Sequence, residues 1–415
     1  MAILKAFKGF RPKKEFVKQI ASPPYDVLSS DEAREMVRGN PLSFLHVIKP
    51  EVDLPGDIDL YAPEVYQKGK ENLYRMIDQG IFFQDQEEHL YIYAQTMWGK
   101  TQYGLVGCAG VLDYMNNLIR RHELTRPDKE EDRKKHIRIT NFNAEPVFFA
   151  YPPHREIDDM VKNVVSGKPE NDFVADDEIR HQFWVIRGKN VIDKLIELFE
   201  TDIPFTYVAD GHHRSAAAAL VGHERRHSNH NHSGKEEYNY FLAVHFPSNQ
   251  LRILDYNRVV KDLNGLQPLE FIDKLKESFE ISERKESLYK PARLHNISMY
   301  LDGKWYSLTA RPGTYNNRDP IGILDVNILS KQILEPILNI TDLRKSKRID
   351  FIGGKRGLEE LKKRVDSGEM KAAFALHPVT MEQLMDIADT DNIMPPKTTW
   401  FEPKLRSGLI LHHLE

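Results

Sequence analysis

The chain of 415 residues has a single cysteine, Cys108. One thiol excludes an intrachain disulfide framework and a cysteine-based zinc site. Its place in the apolar run 105–112 reads as a small core residue. No apolar stretch approaches the roughly 20 residues that a membrane span needs. Residues 1–10 are too few and too lysine-rich for a signal h-region, so the expected location is cytoplasmic. Positive charge is not in excess either: 58 Lys and Arg stand against 62 Asp and Glu, a formal charge of −4. That balance argues against nucleic acid or an anionic membrane as a partner of the whole surface. Also missing are the GxGxxG dinucleotide fingerprint, the HExxH metalloprotease helix and the GxSxG nucleophile elbow.

What is there is 40% hydrophobic residues, enough for sizeable packed cores and for two or three domains. Residues 90–97 and 103–112 read as strands flanking the tight connection Trp98-Gly99-Lys100. Further strands are expected at 146–151, 238–246, 250–254, 297–301, 304–309 and 348–351. Helices are expected at 63–79, 157–166, 191–199, 269–279 and 324–337. The mixture predicts an α+β fold of interlocked lobes. The lobes are placed at 1–110, at 111–262 for the catalytic core, and at 263–415 with a tail segment over the site. His223, His227, His230 and His232 fall in a tract of Asn, Ser and Arg that reads as exposed loop rather than as a metal site.

Asp210-Gly211-His212-His213-Arg214 is the densest chemical motif. It stands between an apolar run, 205–209, and the helix-favouring run 215–220, so it reads as strand, polar turn and helix start. A helix N-terminus leaves amides unpaired and carries partial positive charge. Gly211 lets that backbone approach an anion, and Arg214 brings several donors. Asp210 by itself also reads as a helix N-cap.

Arg120-Arg121-His122-Glu123-Leu124-Thr125-Arg126 is the second cluster. Surrounding positive charge keeps Glu123 ionised, which suits a general base, a metal-side ligand or a salt-bridged helix start continued by 129–135. Phe351-Ile352-Gly353-Gly354-Lys355-Arg356-Gly357 lacks the GxxxxGK[ST] spacing and reads as a strand-to-helix connection. In residues 394–409, Pro395, Pro396, Pro403 and Gly408 forbid a continuous helix. There Lys397, Lys404 and Arg406 interleave with Trp400 and Phe401. Such a segment folds over a site to meet an anionic substrate, docks by its aromatics, or stacks on single-stranded nucleic acid.

Taken together, Ser22-Pro23-Pro24-Tyr25-Asp26-Val27, Arg121-His122-Glu123-Leu124-Thr125, Tyr207 through Arg214, and Met394 through Gly408 resemble the bacterial family called domain of unknown function 1015 (DUF1015). More remotely, Asp210 through Arg214 is similar to the signature of the ParB/sulfiredoxin-like superfamily, in particular its free L-serine kinases. The resemblance implies a ParB/sulfiredoxin-like nucleotide-binding core and transfer of a phosphoryl group from ATP or ADP to L-serine, giving O-phosphoserine, with Mg²⁺. It implies Glu123 and Asp210 as catalytic residues, Asp210 also holding the Mg²⁺. Arg121, His122, Gly211, His212, His213 and Arg214 are implied on the nucleotide phosphates. Lys397, Lys404 and Arg406 are assigned to the serine carboxylate. The expected partners are thus a nucleotide and a small amino acid, with no nucleic acid and no membrane; the sequence sets no oligomeric state. The competing readings are a ParB-like nucleotide-binding switch and a nucleic-acid-binding or nuclease-like protein. Glu123 separates them, because a kinase needs a base near the phosphate site. Glu123 and Asp210 must then share one cleft.

Overall fold

Trp98 and Gly99 turn the chain between β1 (Leu90–Met97) and β2 (Lys100–Gly110). Their φ values are 51° and 75°, the paired positive values of a two-residue turn that matches the right-handed twist of its strands. The hairpin is antiparallel from Tyr91 opposite Val106 to Met97 opposite Lys100. Around it the computed structural model, which describes all 415 residues, builds a mixed α+β fold.

The chain separates into two units, residues 1–251 with 403–415, and residues 252–402. In the first, the hairpin is joined by β3 (Ile119–Arg120), β4 (Val147–Tyr151), β5 (Asn171–Val174), β6 (Arg180–Ile186), β7 (Thr206–Asp210) and β8 (Tyr240–Pro247). The order across this eight-stranded sheet is β3-β7-β4-β8-β2-β1-β6-β5. Strand β7 runs parallel to β3 and antiparallel to β4. The expected boundary at 110/111 therefore falls inside one continuous sheet, and the tail at 403–415 returns to the unit in which the chain began. Non-local strand pairing decides this, and local composition does not record it.

The helices of this unit are α1 (Pro63–Asp78), α2 (Pro127–Thr140), α3 (Arg155–Val165), α4 (Lys189–Asp202) and α5 (His212–Ser228). Ile157 and Val161 of α3 and Ile192, Leu195, Leu198 and Phe199 of α4 are buried with Leu90, Ile92 and Leu105. A second cluster joins Ala216 to Ala219 and Val221 of α5 to Val208, Val147, Phe149, Phe241 and Ala243. Cys108 is fully buried in β2, where burial pushes its thiol well above the usual range. Helix α5 runs on through Ser228, so His223 and His227 lie on a helix, with ring centroids 4.2 Å apart, rather than in the expected loop.

The second unit holds β9 (Tyr256–Val260), β10 (Phe279–Arg284), β11 (Asn296–Leu301), β12 (Lys304–Ala310), β13 (Ile349–Gly353) and β14 (Ala372–Ala375), in the antiparallel order β10-β12-β11-β14-β9-β13. The Gly353-Gly354 segment is a strand-to-helix connection leading to α6 (Gly357–Asp366), which lays Leu358, Leu361 and Val365 against Val259, Tyr300 and Trp305. The helix expected at 324–337 opens as Asp325–Leu329 and widens into a π turn, Ser330–Leu334. No helix in the chain is long and apolar enough to cross a membrane.

Gly222 fixes how closely α5 lies on its neighbours. A Cβ there would meet the Tyr238 carbonyl oxygen at 2.3 Å and a Val111 methyl at 2.7 Å. In an ordinary helix Gly→Ala stabilises by about 1 kcal/mol. Here Gly222→Ala is expected instead to destabilise by about 1–3 kcal/mol through overpacking, measured by denaturant unfolding.

Candidate functional site

Strand β7 ends at Asp210 and helix α5 starts at His212, with only Gly211 between them. Gly211 takes φ 91° and ψ 35° as the residue preceding the helix, a left-handed conformation that costs glycine nothing. No side chain caps the helix. Its first internal bond runs from the Ser215 amide to the Gly211 carbonyl, at 2.8 Å, so the amides of His212, His213 and Arg214 have no partner within the helix. The capping role open to Asp210 in the sequence is not taken.

Asp210 instead accepts from two cations. Lys404 Nζ donates to Oδ1 at 2.5 Å and an Arg214 terminal nitrogen donates to Oδ2 at 2.8 Å. Burial alone would raise this carboxyl, but Lys404 and Arg214 outweigh it and hold it well below the usual carboxylate range, at about 2. The other terminal nitrogen of Arg214 donates to the Pro146 carbonyl at 2.5 Å. Arg214 is thus buried and turned into the protein, where its guanidinium braces the turn rather than lying open to a phosphate. Mg²⁺ does not fit Asp210 in this arrangement. Both carboxylate oxygens are occupied by cationic donors, and a third positive charge would have to displace one of them.

His122, Glu123 and His212 come together, each offering one donor atom, and the three atoms lie within 4.8 Å of one another. The two imidazoles pack edge to face with centroids 4.5 Å apart and an interplanar angle of 87°. Both histidines are buried. Burial pushes each down to about 3, with the neighbouring imidazole adding to the shift at His122 and Asp210 opposing it at His212. Both are therefore neutral near pH 7, and neither brings charge to a phosphate. His213 is half-buried; its Nε2 accepts from the Arg126 amide at 3.0 Å, and burial lowers its pKa. Glu123 is half-buried beside them.

The remaining expected residues divide. Arg121 lies over the Tyr114 ring, its guanidinium carbon 4.7 Å from the centroid. Arg406 is buried, paired with Asp177 at 2.7 Å and donating from Nε to His181 Nε2 at 3.4 Å. Its charge is spent inside the protein. Lys397 belongs to the second unit, where its amine stands 5.7 Å from the centre of the Tyr256 ring. Of the three cations assigned to a substrate carboxylate, Lys404 is the one that the structure brings to Asp210.

Asp26 was missed as a site residue, although the segment that carries it was singled out. Its carboxylate acts electrostatically on both His213 and Arg214. A two-way backbone pairing of Ser22 with Ser407, at 3.1 and 2.9 Å, ties that segment to the C-terminal tail. Glu145 was missed outright. It is buried, accepts from the Tyr25 amide at 3.2 Å and pairs with Arg133 at 3.5 Å. With Arg133, His136, Asn143 and Arg214 it lines a cavity of about 20 Å³, room for one water. A lone glutamate ahead of a proline carries no signal that marks it in the sequence.

A family model described as "Protein of unknown function (DUF1015)" matches residues 4–327. No curated protein matches the sequence. Among solved structures, the chain is similar to a free serine kinase in complex with AMP at 14% identity and a TM-score of 0.35, over 69% of this chain and 84% of that one. It is similar to a conserved hypothetical protein from Pyrococcus furiosus at 14% identity and a TM-score of 0.35, over 70% of this chain and 90% of that one. It is also similar to SbnI with a C-terminal truncation, from Staphylococcus aureus, at 12% identity and a TM-score of 0.37, over 73% and 85%.

The Asp210–Lys404 pair sets a pH dependence. A carboxyl whose folded pKa lies near 2, below its usual 3.8, contributes stability that is complete above about pH 4 and is lost as pH falls toward 2. Lys404→Met should therefore cost about 1–3 kcal/mol at pH 7, the scale of a charged hydrogen bond. The gap from wild type should narrow as urea unfolding is repeated toward pH 2. A gap independent of pH would show that Lys404 acts through packing alone.

Proposed function

The chain belongs to the DUF1015 family, and from that premise we propose that this member is a nucleotide-dependent kinase of a small alcohol, with free L-serine as the leading acceptor. One observation carries the reading. Glu123 lies with its carboxylate within 4.8 Å of the donor atom of His212, the first residue of the helix whose amides lack internal partners. In this reading a base and an anion-binding helix end are neighbours, although 87 residues separate Arg126 from His213 where the two segments hydrogen-bond.

Phosphoryl transfer to an alcohol asks little covalent chemistry of a protein; it asks for position and for neutralised charge. In this reading the amides of His212, His213 and Arg214 receive the phosphate oxygens, beside the Lys404–Asp210 pair. Asp210 holds Lys404 there and orients the turn through Arg214. The acceptor oxygen forms a bond to the terminal phosphorus, the bond from that phosphorus to the nucleotide's bridging oxygen breaks, and Glu123 takes the hydroxyl proton. No step is assigned to Mg²⁺. The core is read as ParB/sulfiredoxin-like, and the choice of serine follows the similarity of Asp210 through Arg214 to the signature of that superfamily's free serine kinases.

Incubation with ATP or ADP and a panel of free amino acids and small alcohols should yield a phosphorylated product, detected by mass spectrometry. Nucleotide binding without transfer to any acceptor would point instead to a switch. Glu123→Gln should retain nucleotide affinity and lower turnover by at least about 10²-fold, the usual scale of a positioned base. Unchanged turnover removes Glu123 from the chemistry.

A further inference from the structure

The donor atoms of His122, Glu123 and His212 form a set that phosphoryl transfer does not require. Two imidazoles and a carboxylate lie within 4.8 Å of one another. His212 is 8% exposed, and its Nε2 is buried with no hydrogen-bond partner. His122 is bonded to the backbone of Val208, and a ring nitrogen bonded to a carbonyl is the usual means of fixing the tautomer and orientation of a metal-bound histidine. The scaffold is firm. Val208 lies in β7, His212 opens α5, and His122 follows two residues after β3, the parallel neighbour of β7.

We propose that His122, Glu123 and His212 bind a divalent transition metal, of which Zn²⁺ is the type, through two imidazole nitrogens and one carboxylate oxygen, with a further coordination position left for an oxygen of solvent or substrate. Two nitrogens and one oxygen suit Zn²⁺, Co²⁺, Ni²⁺ or Cu²⁺; Mg²⁺ prefers an all-oxygen shell and is disfavoured. Three protein ligands and an open position describe catalytic rather than structural zinc sites. Metal bonds of about 2.0–2.1 Å place tetrahedral donors roughly 3.4 Å apart, so the set must contract by up to about 1.4 Å from its outer limit of 4.8 Å. Glu123, the half-buried member, has the freedom to supply that movement. A carboxylate bound through one oxygen keeps the other for a proton, so the ligand role and the base role are compatible. The metal site does not depend on the kinase reading.

The full chain, stripped with chelator and free of nucleotide and acceptor, is titrated with Zn²⁺ by calorimetry and with Co²⁺ by visible absorption. The expected result is one tight site per chain, a four- or five-coordinate Co²⁺ spectrum, and no competition from Mg²⁺. His212→Gln and Glu123→Gln should each weaken Zn²⁺ by at least about 10²-fold. Should His212→Gln fail to fold, Glu123→Gln, at the half-buried member of the set, is the deciding variant. His227→Ala, which removes half of the surface pair His223 and His227, should change nothing. No Zn²⁺ binding, equal binding by wild type and Glu123→Gln, or loss of binding in His227→Ala would overturn the proposal. Because binding is read without turnover, a chain that binds Zn²⁺ and transfers no phosphate sinks the kinase reading alone.

Discussion

The Asp210 carboxylate, held between Lys404 and Arg214, is the interaction on which the candidate site depends. Withdrawing a carboxylate from water is costly, and the cost is recovered only where opposite charge and hydrogen bonds replace the lost solvent. Here the replacements come from two directions. Arg214 stands one helical turn further on and also grips the Pro146 carbonyl at the entry to β4. Lys404 arrives from the far end of the chain, and its own carbonyl accepts from the Gln95 side chain at 2.8 Å. One half-buried anion thereby joins a strand, the helix after it, the start of a second strand and the C-terminal tail.

The tail carries more than this one lysine. Ser407 pairs through its backbone with Ser22, and Arg406 is paired with Asp177. The segment around Asp26 is consequently set in place by residues almost 400 positions away in the sequence. Beneath it, Arg133 stacks on the Tyr25 ring, 3.9 Å from its centroid, and is paired with Asp132 at 2.8 Å. Charge is concentrated where the segments meet, but most of it is matched internally. Around the turn, Arg214 Nε and one imidazole nitrogen of His212 are buried without a hydrogen-bond partner, and the first amides of α5 have no partner within the helix. In the readings proposed above, the amides face an oxyanion and the His212 nitrogen faces a metal.

Parts of this were legible in the order of residues. Trp98-Gly99 announced a hairpin because a two-residue turn demands unusual backbone angles, and the apolar run 205–209 followed by Asp210-Gly211 announced a strand meeting a helix. The side chains of that motif were harder to place. His212 and Arg214 look like phosphate ligands in a list of residues, yet one is a neutral buried imidazole and the other a buried brace. A helix start presents its amides and its side chains in different directions, and only the packing of α5 decides which side chains face inward. The same limit applies to Lys397, Lys404 and Arg406. Their spacing is regular, but the chain passes from one unit to the other between the first and the second.

By itself, the sequence determined the elements and the chemistry available at their ends: the hairpin, the turn at Gly211, the α+β class, the absence of any thiol chemistry outside the core. These follow from local backbone preference and from the alternation of apolar residues, which act over a few positions. Tertiary structure decided which ends meet. It brought Glu123 to His212, Lys404 to Asp210 and Asp26 to His213, and it turned Arg214 and Arg406 inward. Ion pairing and desolvation depend on distance in space, and no local pattern encodes a distance between residues 89 or more positions apart.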